Sequence, residues 1–410
     1  MKKRFSRQQS NMIFACMLLY STAYLNRLNL SAALGSVMEA MNLSATRAGS
    51  LSSAFAITYA AGQMINGMLV DRLNPVRHMM LGLLGSAVCN MLLAASINFE
   101  MMFGLCLLNG LFQSMLWTPI VRLMAMHFSQ EERPKANILI SITLIIGHVG
   151  AWAISGYMSG IVGWRASFLA PSVVAVPVML IANRMLGVIK AEGASHDVKI
   201  VKEKSSSIRN ALGMYWISGF IVMLIVCVLF GFVRDGIRTW APQILGEVSG
   251  SIMNATTFSL IIPVINALGI ILSYVLQRMH KLQNRRIVAV LMFAGMIFCA
   301  LLCDAQKVVL CALMMGLACA CMSGVEPLMT TLIPMEYERE KLIGLSAGLM
   351  DSLIYVGSAL AGVMAGFIRE SMGLNALFIA WAGSALVASV LALRANGMYR
   401  SYRSLDQKSE

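Results

Sequence analysis

The chain has 410 residues, of which 58% are hydrophobic and only 12% charged; soluble chains carry about 25% charged and about 45–50% apolar residues. A single soluble core also stops growing near roughly 250–300 residues, so an ordinary water-soluble enzyme is excluded and a polytopic α-helical membrane protein is expected. The net charge of +13 would suit a nucleic acid or another anionic partner, but its placement along the chain excludes that reading.

A helical crossing needs about 20 predominantly apolar residues. The hydropathy pattern predicts twelve, over 10–38, 49–70, 78–97, 100–127, 135–161, 165–188, 212–245, 251–276, 286–303, 307–334, 341–369 and 374–394. With the N-terminus placed in the cytoplasm, the two tails and the even-to-odd loops hold most of the lysines and arginines. The opposite side holds only Arg47, Arg165, Arg238, Lys307 and Arg369. That asymmetry is the positive-inside rule, so the basic charge is a topology signal, with both termini cytoplasmic. No cleavable signal peptide is expected, because the first apolar run continues as a span.

Span one carries Tyr24 and Arg27, three residues apart and so on one helix face. An arginine near the bilayer centre costs at least ~2.5–3.5 kcal/mol on insertion scales, which calls for either an interhelical salt bridge or an anion to bind. Span two carries Tyr59 and Gln63 and leads into Gly67-Met-Leu-Val-Asp71-Arg72-Leu-Asn-Pro-Val-Arg77. A carboxylate at that membrane edge can cap a neighbouring helix and pair with an arginine. Arg122, near the end of span four, is the expected partner, so Asp71, Arg72 and Arg122 read as a gating latch. Gln113 and Trp117 of span four are expected to line a cavity. His148 of span five is the only histidine expected in mid-span, as a substrate contact, a proton relay or a polar residue satisfied by a neighbouring helix.

Residues 189–211 form the longest break in hydrophobicity, a polar linker with Lys190, Glu192, Asp197, Lys199 and Lys202–Lys204. It separates an N-terminal six-span bundle, 1–188, from a C-terminal one, 212–410. Span seven carries a second deep arginine, Arg234, beside Asp235, which helical geometry turns about 100° away, toward the outer vestibule. Glu326 in span ten and Asp351 in span eleven fall at similar depth. Intramembrane carboxylates are functional candidates by default; these two either neutralise buried arginines or, with raised pKa values, carry protons. Tyr355 is expected to line the cavity near them. The nine cysteines fall in or at the ends of spans without a paired-CxxC pattern and read as small hydrophobes. No cofactor and no metal site are expected.

The halves repeat at an offset of 206–207 residues: Arg27 falls on Arg234, Asp71-Arg72 on Gln277-Arg278, Gly110 on Gly316, and Gly156 and Gly160 on Gly362 and Gly366. Six spans return the chain to the same side, so the halves should be parallel repeats related by an axis along the membrane normal, the architecture of a rocker-type secondary transporter. The small-xxx-small pairs Gly156/Gly160, Gly344/Gly348 and Gly362/Gly366 read as close helix packing. Arg27 and Arg234 read as two guanidinium forks for one anion, because arginine's planar fork suits phosphate and carboxylate.

The Gly67–Arg77 pattern resembles the cytoplasmic signature of the major facilitator superfamily, which implies an all-α membrane fold of twelve transmembrane helices in two six-helix, pseudo-symmetric bundles. Tyr24-Leu-Asn-Arg27-Leu-Asn, Val233-Arg234-Asp-Gly-Ile-Arg-Thr-Trp240-Ala-Pro242, Asn109-Gly-Leu-Phe-Gln113-Ser-Met-Leu-Trp117-Thr-Pro119 and Ser346-Ala-Gly-Leu resemble the organophosphate:phosphate antiporters over essentially the whole chain. That resemblance implies Arg27 and Arg234 as the substrate-phosphate ligands, with Tyr24 and Tyr59 nearby. The chain departs from the family at four positions. Gln63 stands where the glycerol-phosphate member has a lysine, His148 is displaced by one residue, and Glu326 and Asp351 stand where uncharged residues are expected. The expectation is a secondary transporter and not an enzyme, a monomer in a bacterial-type inner membrane. It moves a small organic anion, of the phosphorylated sugar or glycerol phosphate class that the resemblance implies, by alternating access, with phosphate or protons as coupling ion. Proton-coupled symport of a sugar acid and a transporter-like receptor for a sugar phosphate are the alternatives.

Overall fold

The computed structural model describes residues 5–69, 73–129, 132–192, 208–280, 283–305, 307–337 and 342–409. Among them the elements are helical: α1 (Arg7–Met41), α2 (Ala45–Leu69), α3 (Pro75–Ala94), α4 (Phe99–Gln113), α5 (Trp117–His127), α6 (Arg133–Ile161), α7 (Ala166–Glu192), α8 (Ile208–Ile217), α9 (Phe220–Ser249), α10 (Ile252–Ser259), α11 (Ile261–His280), α12 (Asn284–Leu301), α13 (Val308–Pro327), α14 (Ile333–Met335), α15 (Ile343–Met372) and α16 (Leu374–Ser409). Short breaks separate α4 from α5, α8 from α9 and α10 from α11. A π-helical turn, Leu328–Leu332, carries α13 into α14. Read as continuous passes, these make the twelve expected from hydropathy.

Nine passes among the described residues are long and apolar enough to cross a membrane by length and composition. α1 is long enough but falls outside that set, since Asn26, Arg27 and Asn29 interrupt its apolar run. The reason for those polar residues lies in the packing. The chain resolves into two compact units, the first made of Met1–Leu43, Ala54–Ile200 and Gly250–Leu260, the second of Ser44–Ser53, Val201–Ser249 and Ile261–Glu410.

Within each unit, helices approach backbone to backbone at glycine, as membrane helices do when lipid supplies no hydrophobic drive between them. In the second unit, a Cβ on Gly269 of α11 would overlap the Ala320 carbonyl of α13, one on Gly231 of α9 the Ile354 carbonyl of α15, and one on Gly357 of α15 the Val228 carbonyl of α9. In the first unit, Gly110 of α4 meets Phe55 and Thr58 of α2, and Gly147 of α6 meets Tyr24 of α1. The repeat-related glycines are used in the same way. Gly156 and Gly160 sit against Thr256 and Met253 in the first unit, and Gly362 and Gly366 against Gly49 and Ala45 in the second. Gly348 has nothing within 4 Å, and the packing of Gly344 lies outside the described residues.

Prolines are accommodated by hydroxyls. Pro171, inside α7, cannot donate to the Ser167 carbonyl one turn back; Ser155 of α6 donates to that carbonyl instead, at 3.2 Å, and receives the Ser167 hydroxyl on its own carbonyl at 2.6 Å. At one end of the second unit a fully buried arginine, Arg285, is paired with Glu336 and donates to the Tyr337 hydroxyl at 2.9 Å, with its guanidinium 3.8 Å from the Tyr399 ring centroid. Burial pushes the Tyr337 phenol up to about 12, so it stays a neutral hydroxyl that can take Arg285 and face Ser218 at 3.0 Å. This cluster ties α12, α14 and α16 together. All nine cysteines are free, eight of them buried.

Gly269→Leu should abolish a monodisperse size-exclusion peak in detergent, because backbone blocks the added side chain. Gly383→Ala, with open space at its Cβ, should leave the peak and the melting temperature unchanged.

Candidate functional site

The first unit gathers most of its sequence-predicted residues around Arg27. The guanidinium lies 4.4 Å from the Tyr59 ring centroid, 5.3 Å from Phe55 and 5.8 Å from Tyr24. Aromatic faces attract a cation through their quadrupole, a contribution of about 0.5–2 kcal/mol per contact depending on desolvation. Gln63 donates to the Tyr59 hydroxyl at 2.8 Å and receives Thr118 at 3.3 Å. On the other side, Tyr24 packs on His148 at 5.3 Å and on Tyr20 at 5.2 Å, and Tyr20 packs on Trp117 at 5.2 Å. Tyr24, Arg27, Tyr59, Gln63, Trp117 and His148 therefore form one connected polar–aromatic cluster on α1, α2, α5 and α6. Phe55, one turn before Tyr59, belongs to it and was not expected; its i−4 spacing from Tyr59 was the available signal.

The α1 backbone beneath that cluster is held by buried amides. Asn90 of α3 donates to the carbonyls of Asn26 and Ser86 at 3.0 and 2.9 Å and accepts from Asn29 at 2.6 Å. Asn109 of α4 donates to the Asn26 carbonyl at 3.2 Å, and Gln113 donates to the Ala23 carbonyl at 2.9 Å and to Ser86 at 2.8 Å. Gln113 is buried and points into this collar rather than lining a cavity. The reason is that its terminal amide satisfies a carbonyl in the turn of α1 that carries Tyr24 and Arg27.

In the second unit Arg234 is buried, with 5% of its side chain exposed, and is clamped by two carboxylates. Nε and Nη2 donate to the two oxygens of Asp235 at 2.9 and 2.8 Å, and Nη1 donates to Glu326 Oε1 at 2.7 Å. The expected outward direction of Asp235 is therefore corrected. The 100° step fixes only where the backbone launches each side chain, and the long arginine stem curls back to meet its neighbour's carboxylate. Arg238, expected beyond the membrane edge, instead lies one turn from Arg234 on α9 and approaches Asp235 at 3.5 Å and Glu326 at 3.8 Å. Its i,i+4 relation to Arg234 was the sequence signal for this. The Ser358 hydroxyl of α15 donates to Asp235 Oδ2. Two guanidinium groups and two carboxylates thus form a formally neutral quartet.

Local structure explains the placement. The glycine crossings at Gly231 and Gly357 bring α9 against α15, which puts Ser358 beside Asp235. Glu326 stands at the end of α13, where Pro327 opens the π turn and Thr330 donates to the Glu326 carbonyl at 2.9 Å; single π turns often mark functional positions. Tyr355 lies in the neighbourhood of Arg234, and Asp351, one turn earlier on the same face of α15, in that of Cys227 of α9. Of the predicted latch, Asp71 and Arg72 lie outside the described residues; Arg122 donates to the Leu73 carbonyl at 2.9 Å.

The family model described as Major Facilitator Superfamily matches residues 16–334, and the chain belongs to that superfamily: it is a multi-pass membrane transporter and not an enzyme. It is 27% identical over 402 residues to the glycerol-3-phosphate transporter of Bacillus subtilis, covering 92% of this chain and 90% of that one. It is 30% identical over 181 residues to the phosphoglycerate transporter protein of Salmonella typhimurium, covering 43% and 39%. Against the membrane sensor protein UhpC of Salmonella typhimurium it is 24% identical over 260 residues, covering 60% and 59%. Among solved structures, a bacterial homologue of the lysosomal transporter Spinster superposes with TM-score 0.74 at 16% identity, over 97% of this chain and 98% of that one. A D-xylose–proton symporter superposes with TM-score 0.71 at 14% identity, over 95% and 97%.

Asn90→Ala removes the two bonds that tie α3 to α1 at Asn26 and Asn29. An unsatisfied buried polar group costs about 1–3 kcal/mol, so the variant should melt several degrees lower in detergent than wild type, read by tryptophan fluorescence.

Proposed function

We propose that this protein is a secondary transporter for a small organic anion of the glycerol phosphate or sugar phosphate class, exchanged for phosphate by alternating access, in an inner membrane with both termini cytoplasmic. The observation that carries this reading is the environment of Arg27, a guanidinium set among three aromatic rings with a tyrosine hydroxyl, an amide and an imidazole in the same connected cluster. Such a group offers a planar fork to a phosphate, with hydroxyl and amide donors at the edge for a polyol. Arg234, its repeat counterpart in the second unit, supplies a further guanidinium for an anion in this reading. The names of the relatives, a glycerol-3-phosphate transporter and a phosphoglycerate transporter, support the substrate class.

A second reading, proton-coupled symport of a carboxylate, draws on the Asp235 and Glu326 carboxylates held at Arg234. It predicts uptake that follows an imposed pH gradient.

The test is self-exchange of radiolabelled phosphate in proteoliposomes loaded with phosphate and held at equal pH on both sides. Exchange should be robust in the wild type and fall at least a hundredfold in Arg27→Ala, with Arg27→Lys intermediate because an ammonium keeps the charge but loses the fork. Absence of exchange by folded wild-type protein, together with gradient-driven uptake of a sugar acid, would replace this reading with the second.

A further inference from the structure

The two carboxylates on Arg234 are not equivalent. Asp235 is locked: both its oxygens take Arg234, one also takes Ser358 and the other faces Arg238. Only 20% of its side chain is exposed. Glu326 makes a single close contact, from Oε1 to Arg234, while Oε2 lies 3.8 Å from Arg238, and 39% of its side chain is exposed. It is thus the most open member of the quartet, and its helix ends there in a π turn. Arg238 Nε is buried without a hydrogen-bond partner among the described residues, so the quartet contains an unused guanidinium donor beside the Glu326 carboxylate.

We infer that Glu326 is an internal stand-in for the transported anion: its carboxylate occupies the outer edge of the Arg234–Arg238 pair when substrate is absent, and an entering anion displaces it while Asp235 stays in place. The inference rests on the anion reading above and adds a specificity element to it. Arg234 keeps a fixed counter-ion, which limits the penalty of a buried, unpaired guanidinium. The exchangeable position is held by a carboxylate that only a stronger or multidentate acceptor can replace. A phosphate, with three acceptor oxygens, can bridge Arg234 and Arg238, which the single close contact of Glu326 does not do. The arrangement therefore favours phosphate over a monocarboxylate of the same size.

The test is isothermal titration calorimetry of the purified full-length protein with glycerol 3-phosphate and with inorganic phosphate. Removing an internal competitor should tighten binding, so Glu326→Gln is expected to lower the Kd at least tenfold, about 1.4 kcal/mol. Asp235→Asn, which removes the fixed counter-ion and leaves Arg234 unpositioned, should weaken binding. Wild-type binding with Glu326→Gln unchanged or weaker overturns the inference and leaves the anion reading standing. So does an equal gain in Asp235→Asn, which would make the two carboxylates interchangeable. If neither wild type nor either variant binds either probe, the phosphate reading fails and the inference falls with it. Should Glu326→Gln not give a monodisperse protein, Glu326→Asp replaces it. The shortened carboxylate loses its reach to Arg234, and binding about threefold tighter supports the inference where equal or weaker binding overturns it.

Discussion

A guanidinium inside a membrane helix has no water to return to, and much of the second unit is arranged around that constraint. Arg234 needs hydrogen-bond acceptors for its donors and negative charge nearby, because an unpaired buried charge is among the most destabilising features a chain can carry. Asp235 supplies the first carboxylate from the adjacent residue, so one helix brings both halves of the pair. That carboxylate must itself be oriented, and Ser358 does so from α15. Ser358 can reach it only because Gly231 and Gly357 let the α9 and α15 backbones touch. Glu326 completes the clamp from α13, whose position is fixed by the Gly269–Ala320 and Gly324–Gly269 contacts with α11.

The first unit meets the same constraint differently, and the repeat shows how. At an offset of 207 residues, Tyr24 corresponds to Gly231 and Gly147 to Ile354. In both units these pairs face each other: Gly147 lies against Tyr24, and Gly231 against Ile354. The crossing is the same, with the large and small partners exchanged. Putting the bulk on α1 gives Arg27 an aromatic neighbour, while putting the glycine on α9 opens room beside Arg234 for a polar partner from α15. One substitution pattern at one crossing thus gives the first arginine an aromatic neighbour and leaves room beside the second for a polar one.

Composition and hydropathy made the membrane class and the twelve passes legible, because these depend on sums over twenty residues that no single contact can reverse; the superfamily was legible through the resemblance of the Gly67–Arg77 pattern. The residues of the Arg27 cluster were legible too, being aromatic, amide and basic groups at helical spacing in otherwise apolar helices. Arg238 and Asp235 were not placed correctly. Their positions depend on where a long arginine side chain curls and on how far α9 continues past the apolar run, neither of which periodicity encodes. Gln113 was misassigned for a related reason. A polar residue in a membrane helix looks the same in sequence whether it faces a cavity or a neighbouring backbone, and only the Ala23 carbonyl 2.9 Å away separates the two.

The neutral quartet changes what an exchange mechanism would require. Obligatory exchange needs an empty carrier that cannot change state, and a state change is blocked only by a ligand-dependent difference in free energy. Two uncompensated guanidinium groups would give that difference directly. Arg234, however, has its charge balanced inside its own unit by Asp235 and Glu326, so its charge alone cannot hold the empty carrier. If the anion displaces Glu326, the bound and empty states of this unit differ in which acceptor fills the fork and not in whether it is filled. Substrate binding is then a swap of partners at the fork, which keeps the well on either side shallow. A carrier built this way releases its anion readily, because the leaving group is replaced at once by a carboxylate already tethered beside it.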